Sequence, residues 1–475
     1  MASRRDLYQS YQFLVKRVVS GVVLRETDPA QSPLRRMGGA VFGSVMVAVL
    51  ALAVAGVIGV VSPGGNDRWK DTEAVIVMEE TGARFVWLPD EAGVFHLHPV
   101  PNFVSGALLA GTAEVVEVSR ASLAGAPRGQ TLGIADAPDA VPDPDQLVGA
   151  PWTLCAAPVE LASGEQVTRT ALVVGGTADG GRAAGDAGFL ARDVERGTLH
   201  YVWQGVQYPV PDEGAVLQGL TLGDEVQVQV GTAWLSGLPE GEPLAPEPVA
   251  GRGQPSSALP GAVAGQVAVV ESESGGQLYY QVDVDRLVGI SRVQADLLLA
   301  DPALSALSYG GAPPTALPVS PAQTNAATLV PLAERGPTDP PDEQPETLPV
   351  RSATETVCAA FAGVDQRPAV SLGADVDASA AALSEQRTAD GTVLADAVVV
   401  PPGGGALVRA QGSDSATDGF LFLVTDRGRA YRVPDEATAG VLGYAGVDPV
   451  PMPAALVARV PAGSPLSAQL AAGAG

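Results

Sequence analysis

Three histidines, His96, His98 and His200, and two cysteines, Cys155 and Cys358, are the whole stock of imidazole and thiol side chains in 475 residues. His96 and His98 sit at alternate positions of a strand-like run, which puts both rings on one face at a spacing a metal ion could use. No Cys-x-x-Cys, further His cluster or His-Glu-x-x-His accompanies them, so ordinary strand histidines are the stronger reading. Lysine occurs only at Lys16 and Lys70, after Val15 and Trp69. There is thus no Gly-Lys pair for a phosphate-cradling loop, and ATP hydrolysis by that route is excluded. Gly-x-Ser-x-Gly is absent, which removes the esterase-type nucleophile elbow. The acid pairs Asp283-x-Asp285 and Asp375-x-Asp377 suit calcium or glycosidase chemistry in type, but sequence spacing does not fix the gap of about 5 or 9 Å that such chemistry needs. A solvated acidic face explains them better. No catalytic, cofactor or metal site is expected.

The cysteines remain. Both lie beyond the long apolar segment described next, on what would be the oxidising side of a membrane, without metal-ligand company. A Cys155–Cys358 disulfide is expected, with two free thiols as the alternative.

The elements that must position these residues begin with that segment. Residues 38–61 carry no charge; as a helix at about 1.5 Å per residue they reach about 36 Å, enough to cross a hydrocarbon core of about 30 Å. A cleaved signal peptide fits worse, because 37 residues precede the run and its length exceeds a signal's apolar stretch of about 7 to 15 residues. Residues 1–37 hold seven Lys and Arg against three Asp and Glu, a surplus of four that leaves −29 on the remainder of a chain whose net charge is −25. Arg35 and Arg36 stand just before the run, so the N-terminus is expected in the cytoplasm and the acidic bulk outside. That acidity makes nucleic acid a poor partner. In the cytoplasmic piece Leu7, Tyr11, Leu14, Val15, Val18 and Val22 recur with helical period as one apolar stripe, expected to bind a partner protein or the membrane surface.

Outside, a short pattern repeats: His98-Pro99-Val100-Pro101-Asn102, Tyr208-Pro209-Val210-Pro211-Asp212 and Tyr431-Arg432-Val433-Pro434-Asp435. Each ends a strand-like run with a glycine turn nearby. Proline cannot donate to a ladder, and the following Asp or Asn caps a helix, so the pattern turns strand into helix. Gly111, Gly219 and Gly443 fall at expected helix ends. A fourth, degenerate copy at 276–291 lacks the proline and keeps Ser291 as cap. The expected division is a cytoplasmic helix at 1–37, the anchor at 38–61, repeats at 62–112, 188–245, 262–309 and 406–475, a Pro-rich linker at 310–350, and a discontinuous central β domain at 113–187 and 351–405. A Cys155–Cys358 bridge would tie the two central halves across 203 residues, worth about 5 kcal/mol in the loop-entropy model. It would gather the first and fourth repeats toward the membrane, leaving the second and third as a distal arm. The fold class is α+β.

Arg4-Arg5-Asp6-Leu7-Tyr8-Gln9-Ser10-Tyr11-Gln12-Phe13, the anchor, Trp152-Thr153-Leu154-Cys155, Pro401-Pro402-Gly403-Gly404-Gly405 and Leu423-Val424-Thr425-Asp426-Arg427-Gly428, in this order, resemble the EccB family of actinobacterial type VII (ESX) secretion systems. The resemblance covers essentially the whole chain. It implies a single-pass plasma-membrane protein with an elongated extracytoplasmic body of four repeats around a central β domain, similar to phage-lysin wall-binding folds. It further implies a scaffold role, self-association as a dimer and within a hexameric machine, and partnership with EccC, EccD and EccE, EccC carrying the motor. Peptidoglycan binding is the alternative role. Nucleotide hydrolysis attributed to the family finds no residues here to carry it.

Overall fold

The computed structural model describes residues 3–24, 33–61, 67–271, 276–377, 383–384, 386–412 and 419–473. It divides into two compact units, one of Met1–Asp71, Ile76–Ala83 and Val116–Pro127, the other of Thr72–Val75, Arg84–Val115 and Arg128–Gly475.

Among the described residues the first unit holds two α-helices, α1 (Arg4–Leu24) and α2 (Pro33–Val61). Reciprocal bonds start α1: Ser3 Oγ accepts from the Arg5 N–H while the Asp6 carboxylate accepts from the Ser3 N–H, satisfying donors that the first helical turn cannot pair internally. In α2, Pro33 occupies the first position, where its missing N–H costs nothing. The stretch Gly38–Val57 has a mean hydropathy of 2.5 and none of it is buried, so this one helix among the described residues is long and apolar enough to cross a membrane. The remaining segments of the unit are tied by the Glu79 N–H to the Val118 carbonyl and by the Glu80 carboxylate to the Arg120 N–H.

In the second unit a six-stranded sheet interleaves two distant stretches of chain. Its order is Ala397–Val399, Gln166–Val173, Trp152–Glu160, Val357–Phe361, Ala369–Asp375, Asp179–Ala183. All pairs are antiparallel except 397–399 with 166–173. Strands from 152–183 thus stand on both sides of strands from 357–375, so neither stretch completes the sheet alone.

Three further sheets share one plan: three antiparallel strands, a short helix, then a strand that returns parallel to the first. The plan appears in Gly188–Asp193, Leu199–Trp203 and Val206–Val210, followed by helix Glu213–Gly219 and strand Val228–Val230. It recurs in Gly405–Gln411, Phe420–Thr425 and Ala430–Val433, with helix Glu436–Ala439 and strand Val450–Pro453. Val267–Glu271, Gln277–Val282 and Leu287–Ile290 precede helix Arg292–Ala300 and strand Leu317–Pro318, and here Leu329–Val330 adds a fifth strand parallel to 287–290. Nearer the N-terminus the hairpin Arg84–Pro89 and Phe95–Val100 leads into helix Phe103–Ala110. Each helix is capped by the polar residue at the strand's end: Asn102, Asp212, Ser291 and Asp435 accept from the N–H groups of Ser105, Ala215, Gln294 and Thr438.

The structure differs from the sequence expectations in three places. The returning strands were not foreseen, because stretches such as Val228-Gln229-Val230 are too short to display a period. Residues 317–330, expected within a linker, are strands and a helix of the 267–330 sheet. Gly219 does not end its helix in the left-handed region as Gly111 does at φ 73°. It instead lets two helices meet, since a Cβ there would lie 2.8 Å from the Asp296 carbonyl oxygen and 3.1 Å from the Ala300 Cβ.

Packing groups the sheets. Val104, Ala107 and Leu108 of the 103–110 helix share a core with Leu421, Leu423, Tyr431 and Leu442. Val216 and Leu220 share another with Val293 and Leu297 across the Gly219 crossing. Trp152, Leu154, Val357 and Phe361 of the central sheet bury against Phe189, Val202 and Trp234 on one hand and Val408 and Met452 on the other.

Candidate functional site

The stripe on α1 is uncovered. Leu7, Tyr11, Leu14, Val15, Val18 and Val22 are between 41% and 78% exposed. Spacings of three and four residues align them on one side of the helix, while at 100° per residue Arg5 and Lys16 fall on the opposite side.

Cys155 and Cys358 are bonded as a disulfide and are direct register partners on the two innermost strands of the central sheet, with Cα atoms 4.0 Å apart. Their exposures are 0% and 2%, and Ala374, Ala178 and Val376 enclose them. The bridge therefore joins the two stretches of chain at the middle of the sheet they jointly build.

A second device, absent from the sequence expectations, accompanies the repeated strand end. The rings of His98, Tyr208 and Tyr431 each lie against a glycine of a later segment, Gly129, Gly241 and Gly463 respectively, so closely that any side chain there would collide with the ring. Each glycine N–H donates to the carbonyl of the residue before the ring, and a leucine three places on donates to the residue after it: Gly129 and Leu132 to Leu97 and Pro99, Gly241 and Leu244 to Gln207 and Pro209, Gly463 and Leu466 to Ala430 and Arg432. These segments cover strand edges that would otherwise present unpaired backbone groups. The ring's polar tip is then satisfied by a carbonyl: His98 Nδ1 by Gln130, Tyr208 Oη by Asp339, Tyr431 Oη by Asp136. Burial pushes the Tyr208 and Tyr431 hydroxyls above their ordinary value, so both stay protonated donors. A Gly-x-x-Leu lying 31 to 33 residues after the ring was the available signal.

The residues weighed for chemistry are spent on structure. His96 Nδ1 bonds the Val94 carbonyl at 2.9 Å, and His200 bonds Gln207 Oε1 and Thr198 Oγ1 at 2.6 and 3.0 Å. Burial lowers the His200 pKa, opposed by the Gln207 bond. Asp283 and Asp285 flank Arg286 at 3.3 and 3.7 Å, and Asp375 stands in register with Asp179 on the sheet. No group of three or more His, Cys, Asp or Glu able to hold a metal occurs among the described residues. Arg192 instead grips Glu213, at the start of the 213–219 helix, through two bonds of 2.6 and 2.8 Å. Arg409 and Glu436 repeat that pairing at 2.9 Å in the 405–453 sheet.

A family model described as "Type VII secretion system ESX-1, transport TM domain B" matches residues 1–474. Similar curated proteins include the "ESX-3 secretion system ATPase EccB3" of Mycolicibacterium smegmatis, 28% identical over 98% of this chain and 89% of that protein. The "ESX-2 secretion system ATPase EccB2" of Mycobacterium tuberculosis is 29% identical over 78% of this chain and 76% of its own length. Among solved structures, a chain of an intact ESX-5 inner membrane complex aligns with a TM-score of 0.59 at 23% identity, covering 99% of this chain and 95% of that one. A chain of the EccB3 dimer from the ESX-3 core complex aligns at 0.57 and 23%, covering 84% and 99%. At this identity the structural likeness establishes the fold.

Proposed function

Since the chain belongs to the EccB family of the type VII secretion system, we propose that it is a structural scaffold subunit of an ESX inner-membrane complex. In this reading α2 anchors it once in the plasma membrane with the N-terminus cytoplasmic, and the body beyond stabilises the assembly on the outer side. The observation that carries the reading is the family match from residue 1 to residue 474, which takes in both helices and the whole exterior body.

The α1 stripe of Leu7, Tyr11, Leu14, Val15, Val18 and Val22 is the proposed contact to membrane partners, namely the EccC, EccD and EccE components, and the exterior body is the proposed site of pairing with a second copy. The relatives solved as a dimer and within an inner membrane complex support both. We read the chain as a non-enzyme although relatives carry the name ATPase, because neither of its two lysines follows a glycine. The Cys155–Cys358 bridge keeps the shared sheet closed.

Affinity purification of the full chain in mild detergent, with mass spectrometry and an ATP-turnover assay on the same sample, tests this. Expected are the other membrane components at near-stoichiometric yield, and no ATP turnover by the isolated chain. Recovery of peptidoglycan without those components would favour a wall-binding module, and turnover by the isolated chain would overturn the non-enzyme reading.

A further inference from the structure

The degenerate repeat differs in structure where it differs in sequence. Counting back two residues from the helix caps Asn102, Asp212 and Asp435 gives Val100, Val210 and Val433, all buried; from Ser291 it gives Gly289. Without that valine the chain at Leu332 closes in, its amide nitrogen 2.6 Å from where a Gly289 Cβ would stand. Two adjoining cavities of about 500 and 390 Å³ open beside this place and share the wall from Gly289 to Ser291 and from Val330 to Leu332. The two cavities lie side by side along this shared wall, two lobes of the proposed groove.

Its floor is apolar and open to solvent: Leu278, Val330 and Leu332 are 52%, 37% and 50% exposed. Its rim is acidic, with Glu242, Glu247, Asp342 and Glu343 exposed on the walls. The two arginines present already have acidic partners. Arg335 stacks on Trp203 and faces Asp342 at 3.8 Å, while Arg292 pairs with Asp296 at 3.0 Å and stacks on Tyr279. The side-chain oxygen of Gln294, also in the wall, is buried and receives no hydrogen bond. Apolar floor, surplus negative rim and an unused acceptor together call for a ligand with apolar side chains, positive charge and N–H donors.

We propose that this groove is a docking site for an extended basic peptide segment of a partner protein. The site goes beyond the scaffold reading and does not depend on it. A second copy of this chain is a poor occupant of this groove, because with 28 Lys and Arg against 53 Asp and Glu it offers few basic segments. A peptide with Lys or Arg flanking apolar residues satisfies both floor and rim, and the rim charges set its association rate and salt dependence.

A photo-crosslinking amino acid placed at Leu332 in the full chain, irradiated in intact membranes, tests the proposal, with Leu307 on the same repeat as the control position. The expected result is an adduct from position 332 alone, to another polypeptide, at a segment with more Lys and Arg than Asp and Glu. Asp342→Lys with Glu343→Lys lowers its yield at least about fivefold, and Asp342→Asn with Glu343→Gln by less, as rim electrostatics requires. Retention of the buried disulfide in both variants shows that they fold. No adduct, an adduct to a second copy of the chain or to wall glycan, or a yield indifferent to charge reversal overturns it.

Discussion

Replacing both bridge cysteines, Cys155→Ala with Cys358→Ala, isolates what the disulfide contributes. The bridge closes a separation of 203 residues, and the loop-entropy relation assigns about 5 kcal/mol to that constraint on the unfolded chain. Deleting two sulfur atoms at sites 0% and 2% exposed removes buried apolar contact, about 1 kcal/mol apiece at the scale of a methylene group. Native pairing persists, because 179–183 still pairs with 369–375 and 397–399 with 166–173. The loss is therefore about 5 to 7 kcal/mol. Spread over a unit of roughly 390 residues with an unfolding entropy of about 0.8 kcal/mol/K, it lowers the melting temperature by about 6 to 9 °C. Thermal unfolding of the full chain in detergent, followed by tryptophan fluorescence, measures this; Trp152 and Trp234 are both fully buried near the bridge. Reductant added to the folded wild type leaves both thiols unavailable to alkylation, since the bridge is enclosed. A variant melting within about 2 °C of wild type would refute the reasoning and assign the closure of the sheet to strand pairing alone.

Gly219→Val forces the 213–219 and 292–300 helices apart against the Asp296 carbonyl and costs about 1 to 3 kcal/mol; urea titration of the full chain reads it. Gly463→Ala collides with the Tyr431 ring and destabilises, whereas the same change with Tyr431→Leu costs less than the two single changes added together, a non-additivity that a double-mutant cycle measures. The hydrogen bonds from Arg192 hold the Glu213 carboxyl below its ordinary value of 4.5, so the pair stabilises the fold above that pH and the contribution disappears as pH falls through the depressed value. With Glu213 40% exposed, Glu213→Gln costs about 0.5 to 1 kcal/mol at pH 7 after solvent screening and progressively less as the pH falls through the depressed value; melting curves recorded down that pH range check it.

Much of the architecture could be read from local chemistry. The apolar run became a helix of membrane length because its hydropathy allows little else, and the strand-to-helix boundaries followed from proline's missing donor and the Asn, Asp or Ser beyond it. The cysteine pair was legible by elimination. What stayed hidden depends on partners far along the chain. Gly129, Gly241 and Gly463 look like turn residues until the rings they admit are known, and Gly219 looks like a helix end until Asp296 stands against it. The Pro-rich stretch at 310–350 read as a linker because proline marks a break in regular structure but not what the extended chain bonds to. Here Asp339 accepts from Tyr208, the Leu220 carbonyl accepts from Gln344, and the Gly188 N–H donates to Glu346. The α1 stripe was plain from its period, while nothing in the period names what covers it.

Recruitment through that stripe is the claim on which the functional account rests, and the yield of the assembled complex on native gels measures it most directly. Full-length Leu14→Glu with Val18→Glu puts two charges on the exposed apolar face without touching the exterior body. The account predicts normal membrane insertion, an intact Cys155–Cys358 bridge and loss of the high-mass complex. Wild-type complex yield from that variant would contradict it.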